Sequence, residues 1–298
     1  MDVSIIIVNY NTTALLLPCI DSIVEHTHGI SYEIIVVDNG SKEENLIPLR
    51  DDDRITLLEM HENLGFGRAN NAGAQKATGK HLFLLNPDTL LVNDAITILY
   101  QHLEAHPDTG VCGGNIFNKE MLPAHSYHVL PPSILSEMDF AFGQAYRRLR
   151  YGKNAQFNHT GKPMDVAMIT GADMMLRRAA WEKAEGFDPA FFMYCEDADL
   201  CQRIKAQGYR IVSVPEASII HLEGKSFIES ETHCQRILDG RFTYFKKHYS
   251  RLYNKVADVL NISSLLAAIA VCAILRKQQQ RKNYQQRLRI YRQMASQA

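Results

Sequence analysis

The chain opens on a β-branched apolar run at residues 4–8, and a second run at 32–37 ends in Asp38. Between them, residues 13–26 carry Leu16, Leu17, Ile20, Ile23 and Val24 at helical spacing. That is a β-α-β unit, and short strands apolar on both faces belong to a parallel sheet covered on both sides. The pattern continues with a strand at 55–59, a helix at 67–77 stopped by Gly79, a strand at 81–85 and a helix at 95–106 ended by Pro107. Residues 117–163 break the rhythm, being rich in Pro, His, Tyr and basic side chains without a sustained period. Such stretches inside a domain are lids, binding loops or mobile segments. Strand character resumes at 165–176, a helix is expected at 197–207 before Gly208, and another strand at 209–214. The expected fold is α/β, a mostly parallel, Rossmann-like sheet flanked by helices over residues 1–250, with a helical extension at 251–298.

A hydrophobic content of 46% and a charged content of 22% fit an ordinary folded domain. The net charge of −1 hides an asymmetry, because from Arg276 onward there are seven Lys/Arg residues and no Asp or Glu. The six cysteines form no Cys-x-x-Cys pair or disulfide-like spacing, which suits a reducing cytosol. Met1-Asp2 leads straight into the first apolar run without a basic n-region, so a cytosolic location is expected.

In an open α/β sheet, ligands bind at the carboxyl ends of the strands. The residues following the apolar runs are therefore the candidates for chemistry: Asn9-Tyr10-Asn11, Asp38-Asn39-Gly40-Ser41, Asn86-Pro87-Asp88 and the segment after Phe191. Turn formation alone explains any one of these clusters, but four together argue for a site. The glycine-punctuated stretch 63–73 lets backbone approach a ligand before a helix begins. It is neither a dinucleotide fingerprint nor a P-loop: Asn70 replaces the third glycine and no Gly-Lys-Ser/Thr follows. Asp88, at a buried strand's end, suits a divalent cation held against a diphosphate; the alternative is a plain Asn-Pro-Asp turn. Glu196-Asp197-Ala198-Asp199 sets three acids at a helix start beside Phe191, Phe192 and Tyr194. Capping accounts for one or two of them, and a carboxylate base is what a sugar hydroxyl needs in a displacement.

The order of Ser4-Ile5-Ile6-Ile7-Val8-Asn9-Tyr10-Asn11, Val37-Asp38-Asn39-Gly40-Ser41, the 63–73 stretch, Leu85-Asn86-Pro87-Asp88, Gly171-Ala172-Asp173 and Gly186-Phe187-Asp188 through Asp199-Leu200 resembles glycosyltransferase family 2, in particular its bacterial rhamnosyltransferase-like branch. The resemblance covers roughly residues 3 to 250 and implies the GT-A fold. It implies that Val8, Tyr10, Asp38, Arg68, Asn70, Asn86 and Asp88 face the nucleotide-sugar donor. Asn86 and Asp88 occupy the family's Asp-x-Asp metal motif with Asn in place of the first acid, so Mn2+ or Mg2+ would rest on Asp88, with His221 as a further ligand. Asp197 would be the general base of an inverting displacement, while Gly171, Ala172, Asp173 and Glu196 would face the acceptor or transferred sugar. Rhamnose from a dTDP-linked donor, passed to a lipid-linked or polysaccharide acceptor such as an O-antigen or capsule precursor, is the favoured reaction.

Two other readings weigh less. A nucleotidyltransferase wants a basic glycine loop after its first strand, which Asn9-Tyr10-Asn11-Thr12-Thr13 lacks. A non-catalytic nucleotide-sugar-binding subunit needs neither Asp88 nor Asp197. Toward the carboxyl terminus, residues 259–275 are largely apolar but interrupted by Asn261, Ser263 and Ser264, leaving a clean run of 265–275 too short to span a bilayer. With the basic segment that follows, this predicts a peripheral helix on the anionic inner face of the cell membrane. The alternative is a helix packed on the domain with a solvated tail. Nothing else in the sequence points to nucleic acid, and none is expected as a partner.

Overall fold

The computed structural model describes residues 1–152, 155–222 and 231–295. The first half alternates strand and helix: β1 (Val3–Asn9), α1 (Thr13–His26), β2 (Tyr32–Asn39), α2 (Glu43–Arg50), β3 (Ile55–Met60), α3 (Phe66–Lys76), β4 (His81–Leu85), β5 (Thr89–Leu91), α4 (Ala95–Ala105) and β6 (Thr109–Phe117). Short elements follow: β7 (Tyr127–His128), α5 (Ile134–Ala141), α6 (Ala145–Tyr151), β8 (Met164–Asp165), β9 (Met168–Ile169), β10 (Asp173–Arg177) and α7 (Arg178–Lys183). The chain continues through α8 (Glu196–Ala206), β11 (Arg210–His221), α9 (Glu231–His248), α10 (Arg251–Ile274) and α11 (Gln278–Ala295).

The main sheet runs β3-β2-β1-β4-β10-β6-β11-β5, with β8 beside β11. Strands β3, β2, β1 and β4 are parallel, as their apolar runs predict. The other half is mixed: β10 is antiparallel to both neighbours, and β5 and β8 are antiparallel to β11. The expectation of a mostly parallel sheet is corrected to this extent. A strand buried on both faces, such as Met174-Met175-Leu176, reads the same in either direction, so its pattern does not give its orientation.

One core lies under α1 and α4, where Leu16, Cys19, Ile20, Ile23, Leu99 and Leu103 are sealed against the sheet. The other lies under α3 and α8, where the absence of a side chain at Gly73 lets α3 sit on Ile6 and Val37. The expected strand at 209–214 extends to His221 through a register break spanning Ser213 and Ser218, and Pro215, with no N–H to offer a ladder, sits within it. β6 was not expected because Gly113-Gly114 weaken its signal. Those glycines admit Asp173 and Ile169 on one side and Ala217 on the other.

The 117–163 stretch holds structure that its composition did not predict. A reciprocal Ser133–Ser136 capping box starts α5, and a buried Arg147–Asp139 ion pair ties α6 to it. The extension also differs from expectation, because α10 is continuous for 24 residues. The polar residues do not interrupt it: Ser264 Oγ donates to the Asn261 carbonyl at 2.8 Å within the helix. Among the described helices α10 alone is long and apolar enough to cross a membrane, with mean hydropathy 2.0 over its most apolar stretch and 17% of that stretch buried. The basic segment forms α11, which folds back so that Ile290 and Tyr291 pack on Leu238 of α9. Arg241 of α9 joins this bundle together, pairing with Glu137 of α5 and Asp258 of α10 under the Phe245 and Tyr291 rings.

Candidate active site

The carboxyl ends of β1 and β2 are tied by side chains before any ligand is considered. Asn9 Nδ2 donates to Asp38 Oδ1 at 2.8 Å, and the Ser41 N–H donates to Asp38 Oδ2 at 2.9 Å. Asp38 is thus 1% exposed, whereas Tyr10 beside it is 48% exposed and Val8 packs partly into the core. Asn39 fixes the glycine loop, accepting from the Leu64 N–H at 2.9 Å and donating to Asn63 and the Gly65 carbonyl. Asn70 is buried, with its amide on the Phe66 carbonyl, and Arg68 reaches across to the Pro189 carbonyl. Asn71 donates to the Phe187 carbonyl at 2.8 Å and accepts from the Phe187 N–H at 2.9 Å, which couples two sequence motifs 116 positions apart.

At the end of β4, Asn86, Asp88 and His221 converge. The β11–β5 register sets His221 opposite Thr89. His221 Nε2 then lies 3.0 Å from Asp88 Oδ1 and 3.5 Å from Asn86 Nδ2. Asp88 keeps 27% of its side chain exposed, so the cluster remains open. Among the described residues no three His, Cys, Asp or Glu side chains gather as a closed metal cage. One carboxylate and one imidazole with open positions nevertheless fit a cation whose remaining ligands are phosphate oxygens and water, and the imidazole favours Mn2+ over Mg2+.

The acidic cluster opens α8 and is reached through a strained turn. Tyr194 and Cys195 take left-handed backbone with φ of 74° and 65°, costly for residues other than glycine. Two glycines hold this turn from either side. A Cβ on Gly65 would come within 2.2 Å of the Phe192 carbonyl, and one on Gly240 of α9 within 2.2 Å of the Tyr194 carbonyl. The first contact is completed by the Phe66 N–H, which donates to the Phe192 carbonyl at 3.0 Å.

Three acids within four residues meet three environments. Asp199 is fully buried and bonded to Arg203, Lys247 and His248, at 2.7 to 2.8 Å. Burial acts to raise its pKa, but those partners outweigh it and hold the carboxyl at about 2. Its place is structural, docking α9 on α8. Glu196 is 6% exposed and its Oε2 has no partner; burial and then the charge of Asp197 push its pKa up. Burial raises Asp197 as well, but its oxygens accept from the Ala198 N–H at 2.8 Å and the Gly171 N–H at 3.3 Å. Those donors favour the charged form, so of the two neighbours Asp197 is the better placed to hold a negative charge.

Asn86 and His221 at one side and Glu196 and Asp197 at the other line one cleft of about 770 Å3. Gly171 and Ala172 form part of its wall, and the Ala172 carbonyl accepts from the Asn86 N–H at 3.0 Å. Asp173, expected to face the sugar, lies beneath this wall: it is fully buried, accepts from the Gly114 N–H at 2.7 Å, and burial raises its pKa strongly. The cleft also takes in residues the sequence did not single out. His125, His128, Arg147 and Gln156 come from the irregular stretch, whose His-rich and basic composition was the available signal. Burial lowers His128 to about 3, so it is a neutral imidazole.

A mixed α/β sheet with an Asp–His pair at one strand end and a buried acid pair facing it across a cleft defines the GT-A class of transferase fold. A mannosyltransferase from Pyrobaculum calidifontis, solved with GDP-Man and Mn2+, shares this fold at TM-score 0.61 and 19% identity, covering 97% of this chain and 83% of that one. Residues 4–183 match the description Glycosyl transferase family 2, and residues 153–225 match the N-terminal domain of galactosyltransferase. The chain belongs to glycosyltransferase family 2. It is 27% identical over 228 residues to an O-antigen biosynthesis protein of Myxococcus xanthus, 75% of this chain and 17% of that protein. It is 28% identical over 166 residues to a rhamnosyltransferase of Escherichia coli K12, 53% of this chain and 60% of that one, so the match spans less than two thirds of either relative. An N-acetylglucosaminyl-diphospho-decaprenol L-rhamnosyltransferase of Mycobacterium tuberculosis is 26% identical over 208 residues, 65% of this chain and 67% of that protein.

Proposed function

We propose that this chain transfers a sugar, with rhamnose from dTDP-rhamnose the foremost candidate, from a nucleoside-diphosphate donor to a lipid-linked glycan acceptor by a single inverting displacement. The observation that carries the reading is the shared cleft, lined on one side by Asn86 and by His221, the partner of Asp88, and on the other by Asp197. The relatives named as rhamnosyltransferases support rhamnose as the sugar, the O-antigen protein supports a cell-surface glycan product, and the decaprenol-linked substrate in one relative's name supports a lipid-linked acceptor.

In this account Tyr10 stacks on the nucleotide base, and the Asn9–Asp38 tie sets the nucleotide edge beneath it. Asp88 and His221 would hold a divalent cation, and the chemistry it would supply there is neutralisation of the charge on the leaving diphosphate. Asp197, fixed by two backbone N–H groups, takes the proton of the acceptor hydroxyl as that oxygen attacks the anomeric carbon. Glu196, protonated, donates a hydrogen bond to the acceptor. The α10–α11 hairpin, apolar on the outer face of α10 and basic around Arg276 and Lys277, rests on the cytosolic membrane surface.

The test is turnover of purified protein on UDP-, GDP- and dTDP-sugars with and without manganese. Manganese-dependent release of dTDP in excess of UDP and GDP supports the reading. No nucleotide release from any donor, with or without acceptor, sinks it.

A further inference from the structure

The cleft does not end at the acids. Its far end is walled by Phe140 of α5, by Asn261, Ser264 and Leu265 of α10, and by Arg287 of α11. There it adjoins a second cavity of about 530 Å3 between α5 and the α10–α11 hairpin, with Glu137 and Ser264 lining both. The second cavity is apolar, with Met138, Ala141 and Phe142 on one wall and Ala268, Val271 and Leu275 on the other. An apolar trough continuous with a polar cleft suits a molecule that is apolar at one end only.

Arg287 lines the far end of the cleft, and its charge acts on Glu137, which lines both cavities. Arg287 is half-buried and makes no ion pair or hydrogen bond with the described residues; Glu137, the acid whose pKa it influences, is taken up by Arg241. Left unpaired, its guanidinium is available to an incoming anion, and its planar fork matches phosphate oxygens. Lys277 adds a second positive charge on the trough wall.

We infer that the trough between α5 and α10 holds the hydrocarbon chain of a long-chain lipid phosphate, with Arg287 on its phosphate and its sugar end directed toward Asp197. The inference rests on the glycosyl-transfer reading and adds to it a lipid site within the protein, apart from any membrane surface that α10 touches.

The full chain is titrated by calorimetry with farnesyl diphosphate in EDTA, so that the probe does not bind through a metal, with inorganic diphosphate as competitor. Arg287→Gln and Ala268→Trp, the latter filling the trough, are each expected to weaken the probe by about tenfold or more, the scale of a lost charge-assisted bond or a blocked apolar site. Inorganic diphosphate at the same concentration is expected not to displace it. Thermal unfolding of each variant reports its fold, and Arg287→Gln alone decides if Ala268→Trp does not fold. Unchanged affinity in folded variants, equal displacement by inorganic diphosphate, or binding seen only when vesicles are added overturns the inference. Manganese-dependent dTDP binding is measured in parallel. A chain that binds dTDP but not the probe sinks the trough alone, and one that binds the probe, in an Arg287-dependent way, but no nucleotide sinks the glycosyl-transfer reading alone.

Discussion

His221 Nε2 sits 3.0 Å from Asp88 Oδ1, although 133 positions separate them in the chain. Pairing of β11 with β5 creates this contact, and the Leu222 N–H secures it by donating to the Asp88 carbonyl at 2.8 Å. An imidazole and a carboxylate at that distance with Asn86 alongside form a partial ligand set, which a nucleotide's phosphates would complete.

Asp88→Ala is therefore expected to abolish transfer and the manganese-dependent part of nucleoside-diphosphate binding while leaving the fold intact, since Asp88 is a half-exposed strand-end residue and not core. His221→Ala should raise the manganese concentration for half-maximal activity by roughly 10- to 100-fold, the usual scale for disturbing a metal's coordination sphere. Metal titrations of turnover check both, and near-normal turnover in Asp88→Ala would remove the metal assignment.

Gly240→Ala tests the clamp on the acid-bearing turn. Alanine favours the helix over glycine by up to about 1 kcal/mol, yet its Cβ would meet the Tyr194 carbonyl. The expected outcome is a loss in kcat on the order of 10²-fold, the scale of a 1 Å misplacement of a catalytic group. Steady-state kinetics with circular dichroism separates this from unfolding, and unchanged kcat would show that the turn's position is not critical.

Much of the first half of the fold was legible because each apolar run is short, bounded by Gly, Pro or Asp, and followed by a helical period. The direction of β10 was not, since a strand buried on both faces carries no mark of orientation. Of the site, Asp88 and the Glu196–Asp197 pair stood out as acids at strand and helix ends. The separation of Asp199 from its neighbours was hidden, because Lys247 and His248 lie on α9, nearly 50 positions away. Asp173 read as a cleft residue for the opposite reason: its motif neighbours Gly171 and Ala172 do reach the cleft, and only the pleat turns Asp173 beneath it.

Asp199 carries a pH signature of its own. Its folded pKa of about 2 lies below the unfolded value near 3.9, so its contribution is complete above about pH 4 and is lost as pH falls toward 2. Asp199→Asn should destabilise by about 3 kcal/mol or more, because the cations Arg203 and Lys247 lose their shared carboxylate and His248 its hydrogen-bond partner, and should flatten the acid side of the stability curve. Urea unfolding between pH 2 and 7 measures both effects.

The outer face of α10 exposes Leu252, Val259 and Ile274, with Arg276 and Lys277 just beyond its end. Reversing Arg276, Lys277, Arg281 and Lys282 to Glu should weaken binding to vesicles containing anionic lipid, by up to about 1 kcal/mol for each charge removed near the surface. Co-sedimentation at low and high salt reads this out. Equal retention of wild type and variant would place the membrane contact elsewhere.

In the proposed displacement Asp197 accepts the proton of the acceptor hydroxyl, and Asp197→Asn removes that capacity alone. The amide keeps shape and hydrogen bonding but loses proton affinity, so the effect falls on the transition state alone. Burial raises the pKa of Asp197, so wild-type kcat/KM should rise with pH along a limb above the ordinary carboxylate range. Turnover and donor affinity are measured together on Asp197→Asn, with Glu196→Gln as comparison. The kcat of Asp197→Asn is expected to fall about 10²–10⁴-fold with donor Kd within about threefold of wild type, while Glu196→Gln is expected to act mainly on acceptor KM. Normal turnover in Asp197→Asn with collapse in Glu196→Gln would reverse the two neighbours; normal turnover in both would reduce the acids to a helix start and contradict the catalytic account.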